Sequence, residues 1–256
     1  MQTFKSGSWK EFEETISAIN VANPLYRGHT SAKWELKTTL ERYSYTHYSI
    51  SRYNACLLRI HPALASFTGI SRELVEDIPA SSSAHAMPPN YEFMCHARQH
   101  GFPSPLLDWS ESPWIALFFA YRQAMMDEDV AIYIYKGVTG EVTVEPDGTQ
   151  APGKPGPYLS VYPGHFMQQC RYTLATKKMN SDWFYCSPEE FFSRQTDTDQ
   201  DVLIKVTMPG YLKYDILKKL QKMNINAYTL YGTEAGLLDM LAFKEILEYN
   251  ELMMNT

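Results

Sequence analysis

The sequence predicts an α+β fold: one compact domain over residues 1–256, with a small mixed or antiparallel sheet and helices inserted between its strands. Three observations carry this expectation. Strand-like runs at Leu25 to His29, Val130 to Tyr135 and Val202 to Met208 are separated by helical patterns, without the regular alternation of a doubly wound fold. Hydrophobic residues make up 45% and charged residues 20%, so a chain of 256 residues can bury a sizeable core without staples. No repeat, low-complexity tract or composition break marks a linker.

The elements follow in order. Ser8 caps a helix over Trp9 to Ile19, with Glu11 placed for a capping box and Phe12, Ile16 and Ile19 on one face. Asn23-Pro24 stops it, and Leu25 to His29 reads as a short strand. Trp34 to Leu40 reads as extended or irregular chain. Ser44 to Phe67 has a helical pattern, with a break expected before Pro62. Ser81 to Pro89 reads as a loop, and Tyr91 to His100 as a helix with Gly101 at its C-cap. Ser112-Pro113 opens a helix that runs to about Met126 and is apolar nearly all round, hence buried. Val130 to Tyr135 is a strand, and Glu141 to Gly156 a hairpin or long loop. Val202 to Met208 is a strand, Tyr211 to Met223 a helix, Ala227 to Leu230 a strand and Ala235 to Leu247 the last helix.

The net charge of −6 argues against a broad nucleic-acid footprint, while leaving room for a local basic pocket. The four cysteines (Cys56, Cys95, Cys170 and Cys186) are scattered and form no disulfide framework. Cys95, His96 and His100 lie near each other in sequence but lack a second ligand cluster, so no metal is expected. The opening MQTFKSGSWKEF has no apolar run of the secretory type, and Trp114 to Tyr121 is far too short to span a bilayer. The expected setting is the cytoplasm, away from membranes. Tyr43 to Tyr53 and Pro157 to Tyr162 are aromatic-rich and suit either a core or an interface.

Two segments carry residue types that a plain core does not need. In Tyr26-Arg27-Gly28-His29, an arginine at a strand end offers a guanidinium fork to a phosphate or carboxylate, and Gly28 lets a ligand approach the backbone. The bland alternative pairs Arg27 with a buried carboxylate such as Asp108. Gln99 to Ala120 places Gln99, His100, Asp108, Trp109 and Ser110 around two stiffening prolines, just ahead of the buried helix. Asp108 there either points into a pocket or caps the helix, with Ser110 as an alternative cap.

These segments resemble the FRG domain, a family named for a Phe-Arg-Gly motif where this chain has Tyr26-Arg27-Gly28. Trp34-Glu35-Leu36 and Arg42 match its Trp-x-Leu and downstream arginine. Gln99-His100-Gly101-Phe102-Pro103-Ser104-Pro105-Leu106-Leu107-Asp108-Trp109-Ser110 is similar to Gln-His-x-Gly-x-Pro-Thr-Arg-Leu-Leu-Asp-Trp-Thr, and Ala116 to Ala120 to its Ala-Leu-x-Phe-Ala helix. Gln168-x-Cys170-x-Tyr172-Thr173 and Thr229 to Leu237 resemble later motifs, so the likeness spans about residues 10–245. The chain departs from the pattern by one residue at His100-Gly101, by Ser104-Pro105 in place of Thr-Arg, and by Cys170 in place of Gly.

The motif order is also distantly similar to that of ADP-ribosyltransferases. That resemblance implies NAD as co-substrate, with Arg27 on its pyrophosphate, Asp108-Trp109-Ser110 bracing the nicotinamide ribose, and Gln168 or Gln169 where a catalytic glutamate stands. A neutral amide stabilises positive charge at the ribose less well than a carboxylate does, so Asp108, Glu92 and Glu111 are the candidates to replace it. Three readings follow. One is a nucleotide-using effector, ADP-ribosyltransferase-like or NAD-cleaving, acting on a protein or nucleic-acid target in bacterial or phage conflict. Another is a non-catalytic module of the same shape that recognises a nucleotide, nucleic acid or protein. The third is a hydrolase or nuclease in which His100 and Asp108 form an acid/base pair. The first requires Arg27, His100, Asp108 and a glutamine of the 168–169 pair to share one pocket.

Overall fold

The computed structural model describes residues 1–19, 23–44, 46–76, 88–136, 149–153, 163–179, 182–187, 189 and 202–247. Eight strands form one open mixed sheet: β1 (Gln2–Lys5), β2 (Leu25–His29), β3 (Leu107–Ser110), β4 (Val130–Lys136), β5 (Thr149–Gly153), β6 (Cys170–Met179), β7 (Asp182–Cys186) and β8 (Val202–Met208). The order is β1-β8-β4-β2-β3-β6-β5, with β7 also on β6. Only β1 and β8 run parallel; every other pair is antiparallel. The fold is therefore α+β, as the sequence predicts, with a larger sheet than expected.

The strand sequences explain their places. Val130-Ala131-Ile132-Tyr133-Ile134-Tyr135 is buried throughout, which suits a central strand covered on both faces. One face carries Ile132, Ile134, Ile204 and Val206 against α1 (Trp9–Ala18), α5 (Pro113–Tyr121) and α7 (Lys213–Lys222). The other face carries Leu25, Trp109, Tyr133 and Tyr135 around Leu36. A third cluster packs α3 (Ile50–Thr68) and α4 (Tyr91–Gln99) on β6 and β7 through Leu57, Met94, Tyr172 and Tyr185.

The ladder joining β2 to β3 is one residue pair long, Tyr26 with Ser110. By contrast β2 pairs with β4 along all five of its residues, and β3 pairs with β6 along all four of its own. The sheet is thus split between β2 and β3, and the split opens the space in which Arg27 and Asp108 meet.

Several boundaries differ from expectation. Leu107 to Ser110 is a strand, although its prolines suggest a loop. The helix read as Ser44 to Phe67 begins only at Ile50, as α3, capped by Ser49, and a short helix α2 (Thr39–Tyr43), capped by Thr38 and Glu41, precedes it where extended or irregular chain is expected. Pro62 lies inside α3 without ending it. The apolar helix stops at Tyr121 rather than near Met126, and its cap is Ser112, whose Oγ accepts from the Ile115 amide, not Asp108 or Ser110. Ala227 to Leu230 is not a strand. It belongs to α8 (Ala227–Tyr231), because Asn226 forms a capping box with Thr229 and Gly232 closes the other end with positive φ. The last helix α9 (Glu234–Ala242) continues into one wide turn, Phe243–Leu247. Strands β1, β6 and β7 lack the alternation that would flag them. Most of the Ser81 to Pro89 and Glu141 to Gly156 segments, and Pro157 to Tyr162, lie outside the described residues.

Candidate functional site

A cleft of about 680 Å³ opens over the split in the sheet, a volume typical of a small-molecule or cofactor site. Its walls come from β2, α4, β3, α5, the start of β6 and the chain around Tyr231 and Thr233. All eight site residues expected from the sequence border it: Arg27, Gly28, Gln99, His100, Asp108, Trp109, Ser110 and Gln168. They do so in different ways.

The charged centre is Asp108. Arg98 grips it as a fork, with Nε donating to Oδ1 at 3.2 Å and Nη2 donating to Oδ2. Nη1 of Arg98 donates to Thr39 Oγ1 at 2.9 Å, which fixes the plane of the guanidinium. Arg27 approaches from β2: its Nη1 donates to the Asp108 main-chain oxygen at 2.6 Å and lies 3.8 Å from Oδ2. Its Nε donates to His29 Nε2 at 3.0 Å. The Arg27 and Arg98 side chains are only 13% and 12% exposed, against 36% for Asp108.

Two mostly buried cations against one carboxylate leave one positive charge in excess, and the exposed Arg42, outside the lining, is near enough to feel both Arg98 and Asp108. Asp108 is the single carboxylate among the described residues lining the cleft. Burial pulls the Arg27 guanidinium down to about 10, with Asp108 opposing that shift. Burial also works against Arg98, but the charge and hydrogen bonds of Asp108 outweigh it and raise its pKa. Burial and then Arg27 push His29 down to about 3, so its imidazole is neutral and accepts from Arg27.

A second rung runs parallel to the first. Gln99, next to Arg98 on α4, donates from Nε2 to the Tyr172 hydroxyl at 3.1 Å. Tyr172 pairs directly with Asp108 across β3 and β6, so the two side chains share a face. The Gln99 Oε1 atom is buried without a hydrogen-bond partner.

The remaining expected residues have more structural duties. Gly28 is required by packing: a Cβ there would sit 2.0 Å from the Ala116 carbonyl oxygen and 2.6 Å from the Ala120 nitrogen. Its glycine thus lets α5 lie directly on β2 rather than admitting a ligand. The Trp109 ring points away from Asp108 and Ser110, into the core with Leu107, and its Nε1 donates to Thr173 Oγ1 at 2.8 Å. The Ser110 hydroxyl donates to the Gln168 main-chain oxygen at 2.8 Å and accepts from the Ser112 amide at 3.1 Å, tying the turn between the short helix α6 (Pro163–Met167) and β6 to β3. Gln168 donates from Nε2 to the Leu230 carbonyl at 3.1 Å, anchoring α8 beside the cleft. Gln169 is exposed and takes a positive φ of 48°.

His100 is exposed at the rim, its ring 4.6 Å from that of His96. Among the described residues no hydrogen bond joins His100 to Asp108, whose oxygens go to Arg98. The acid/base pair of the hydrolase reading is therefore not assembled. Glu111 pairs with Arg171 and Glu92 with Arg72, both outside the cleft lining.

The FRG-domain family model matches residues 22–129. The chain carries an FRG domain. Its matched segment holds Arg27, Gly28 and everything from Gln99 to Ser110, while Gln168, Tyr172 and Tyr231 complete the cleft from beyond it. No curated protein and no solved structure matches the chain.

Arg98 and Tyr172 line the cleft but are not among the expected site residues, although Tyr172 stands in a motif of the family resemblance; Thr39, outside the lining, orients Arg98. For Arg98 a signal existed. It is a charged residue in the last turn of a helix whose Tyr91, Phe93, Met94, Cys95 and Ala97 are buried, ten residues before the aspartate of the FRG motif.

Proposed function

We propose that the cleft of this FRG domain binds an NAD-type dinucleotide, and that the chain is an ADP-ribosyltransferase-like or NAD-cleaving effector. One observation carries the reading: a mostly buried pair of arginines shares a single carboxylate, at the base of a cleft of cofactor size. An uncompensated buried cation is costly, and a phosphate oxygen is its natural counterion. The unused N–H donors of Arg27 and Arg98 suit a pyrophosphate. Half-buried Phe119 and Tyr231 also line the cleft, packed edge to face, and add aromatic surface for a base.

NAD held there would supply an ADP-ribosyl group for transfer to a target or to water. The chain's own residues then have separable tasks. Arg27 and Arg98 neutralise phosphate charge. Asp108, oriented by Arg98, is the carboxylate of the described lining that would take the place of the absent glutamate beside the ribose. Gln168 holds the wall rather than the chemistry. A cytoplasmic setting, a protein or nucleic-acid target and a role in conflict belong to the same proposal. No helix among the described residues is long and apolar enough to cross a membrane.

The same site also favours a second reading. The single cleft carboxylate is held by Arg98, and Gln168 is neutral, which suits a module that recognises the nucleotide without cleaving it. Expression with cellular NAD as the readout separates the two. The effector reading expects NAD to fall, or a target to acquire ADP-ribose, with both effects lost in a folded Arg27→Ala variant. Unchanged NAD and no modified target, with nucleotide still bound by the purified chain, selects the recognition module.

A further inference from the structure

Buried polar atoms without partners gather around one residue of the cleft. Among the described residues they are Tyr91 Oη, His96 Nδ1, Gln99 Oε1, His165 Nε2 and His29 Nδ1. Gln99 donates to the Tyr172 hydroxyl. The His165 ring lies 5.4 Å from that of Tyr172, and the Tyr91 ring 6.4 Å from it on edge. Such atoms are rare in native proteins, and each destabilises the fold unless something pairs with it. Here three of the five touch the surroundings of Tyr172, and two of the residues involved, Gln99 and Tyr172, line the cleft.

Gln99 gives one of its two Nε2 protons to Tyr172 and leaves Oε1 as an acceptor without a partner. The Tyr172 oxygen accepts from Gln99, so its own proton is available for donation. Burial raises the Tyr172 pKa, which keeps that proton in place. Side by side stand one acceptor and one donor, on an uncharged rung beside the Arg98–Asp108 rung. The terminal amide torsion of glutamine is soft, and both Gln99 and Tyr172 line the cleft.

We infer that Gln99 and Tyr172 form a reading site for an uncharged donor–acceptor edge of the carboxamide type, selecting a ligand ring that carries a carboxamide over one that carries a carboxylate. The inference rests on the nucleotide reading above and specifies which end of the dinucleotide lies at this rung. The ring's N–H would satisfy Gln99 Oε1, and its carbonyl would accept from Tyr172. A carboxylate offers no N–H and sets its charge against Oε1.

Three probes test this on the purified full chain by calorimetric titration: NAD, its analogue with the ring carboxamide replaced by carboxylate, and ADP-ribose, which lacks the ring. The expectation is that NAD binds about tenfold tighter than the carboxylate analogue, the worth of one well-placed hydrogen bond. Tyr172→Phe and Gln99→Met should erase that preference while changing ADP-ribose affinity less than about twofold. Equal binding of all three probes by the unmodified chain overturns the inference and leaves the nucleotide reading standing. Retention of the full preference in both variants, with unchanged thermal melts, also overturns it. Binding of none of the probes overturns the nucleotide reading and this inference together. The comparison on the unmodified chain requires no variant and so does not depend on how a variant folds.

Discussion

Removing one partner of the Arg98–Asp108 fork should expose how much of the site is held by charge. A fully buried pair loses about 3–5 kcal/mol when one member is deleted, and a fully exposed pair contributes about 0–1 kcal/mol. Arg98 is 12% exposed and Asp108 36%, so the pair lies between these limits. For Arg98→Met the stranded group is Asp108, which reaches water and keeps Arg27 nearby, and about 2 kcal/mol should be lost. For Asp108→Asn the stranded groups are two enclosed guanidiniums, and about 3 kcal/mol should be lost. The double variant removes the pair and leaves only Arg27 uncompensated, at a cost of about 3 kcal/mol, so the cycle should show a coupling of about 2 kcal/mol. Urea unfolding of the four proteins, with slopes checked for equality, measures it. Additivity within about 0.5 kcal/mol would mean that the fork contributes nothing specific and would refute the electrostatic account of the site.

Further outcomes follow from the same geometry. Asp108→Asn removes the one negative charge among the described residues lining the cleft, so a folded fraction of that variant should bind ADP-ribose more tightly than the unmodified chain, and more steeply so at low salt; weaker binding would place the phosphates elsewhere. Gly28→Ala drives a methyl into the Ala116 carbonyl and should lower stability by more than about 3 kcal/mol, visible as failure to fold or a large fall in melting temperature. His29 has a folded pKa of about 3 against an ordinary 6.5, so the unfolded chain binds the extra proton. Its contribution is therefore present above pH 6.5 and lost progressively as pH falls toward 3, and His29→Gln should flatten the stability slope between pH 7 and 5. Cys95 is pushed up to about 12 by burial, and Cys170 and Cys186 are also buried, so only the partly exposed Cys56 should react quickly with a thiol reagent before unfolding. Rapid labelling of more than one thiol in the folded chain would contradict the packing described.

The parts legible in the sequence are those where local chemistry and tertiary demand agree. Ser8 and Glu11 cap α1 as their spacing implies, and Val130 to Tyr135 and Val202 to Met208 are strands because β-branched and aromatic residues recur along them. Ala227 to Leu230 reads as a strand by composition, yet the capping pair Asn226 and Thr229 decides for a helix. Leu107 to Ser110 is too short and too near prolines to announce a strand; its hydrogen bonds come from β6, more than fifty residues away. In the site, the motif residues converge, but their reasons were only half visible. Gly28 is small for the sake of Ala116 and Ala120, and Trp109 belongs to the core. Arg98 and Tyr172 matter through partners on other elements, a relation that spacing along the chain does not encode.

The central claim is that the excess cationic charge of the cleft is there to receive a dinucleotide. Titration of NAD into the purified chain, with Arg27→Ala as the control, tests it most directly. The account predicts saturable binding at one site per chain, at least tenfold weaker in a folded Arg27→Ala variant. No heat of binding from a folded chain, or equal affinity in the variant, would contradict it.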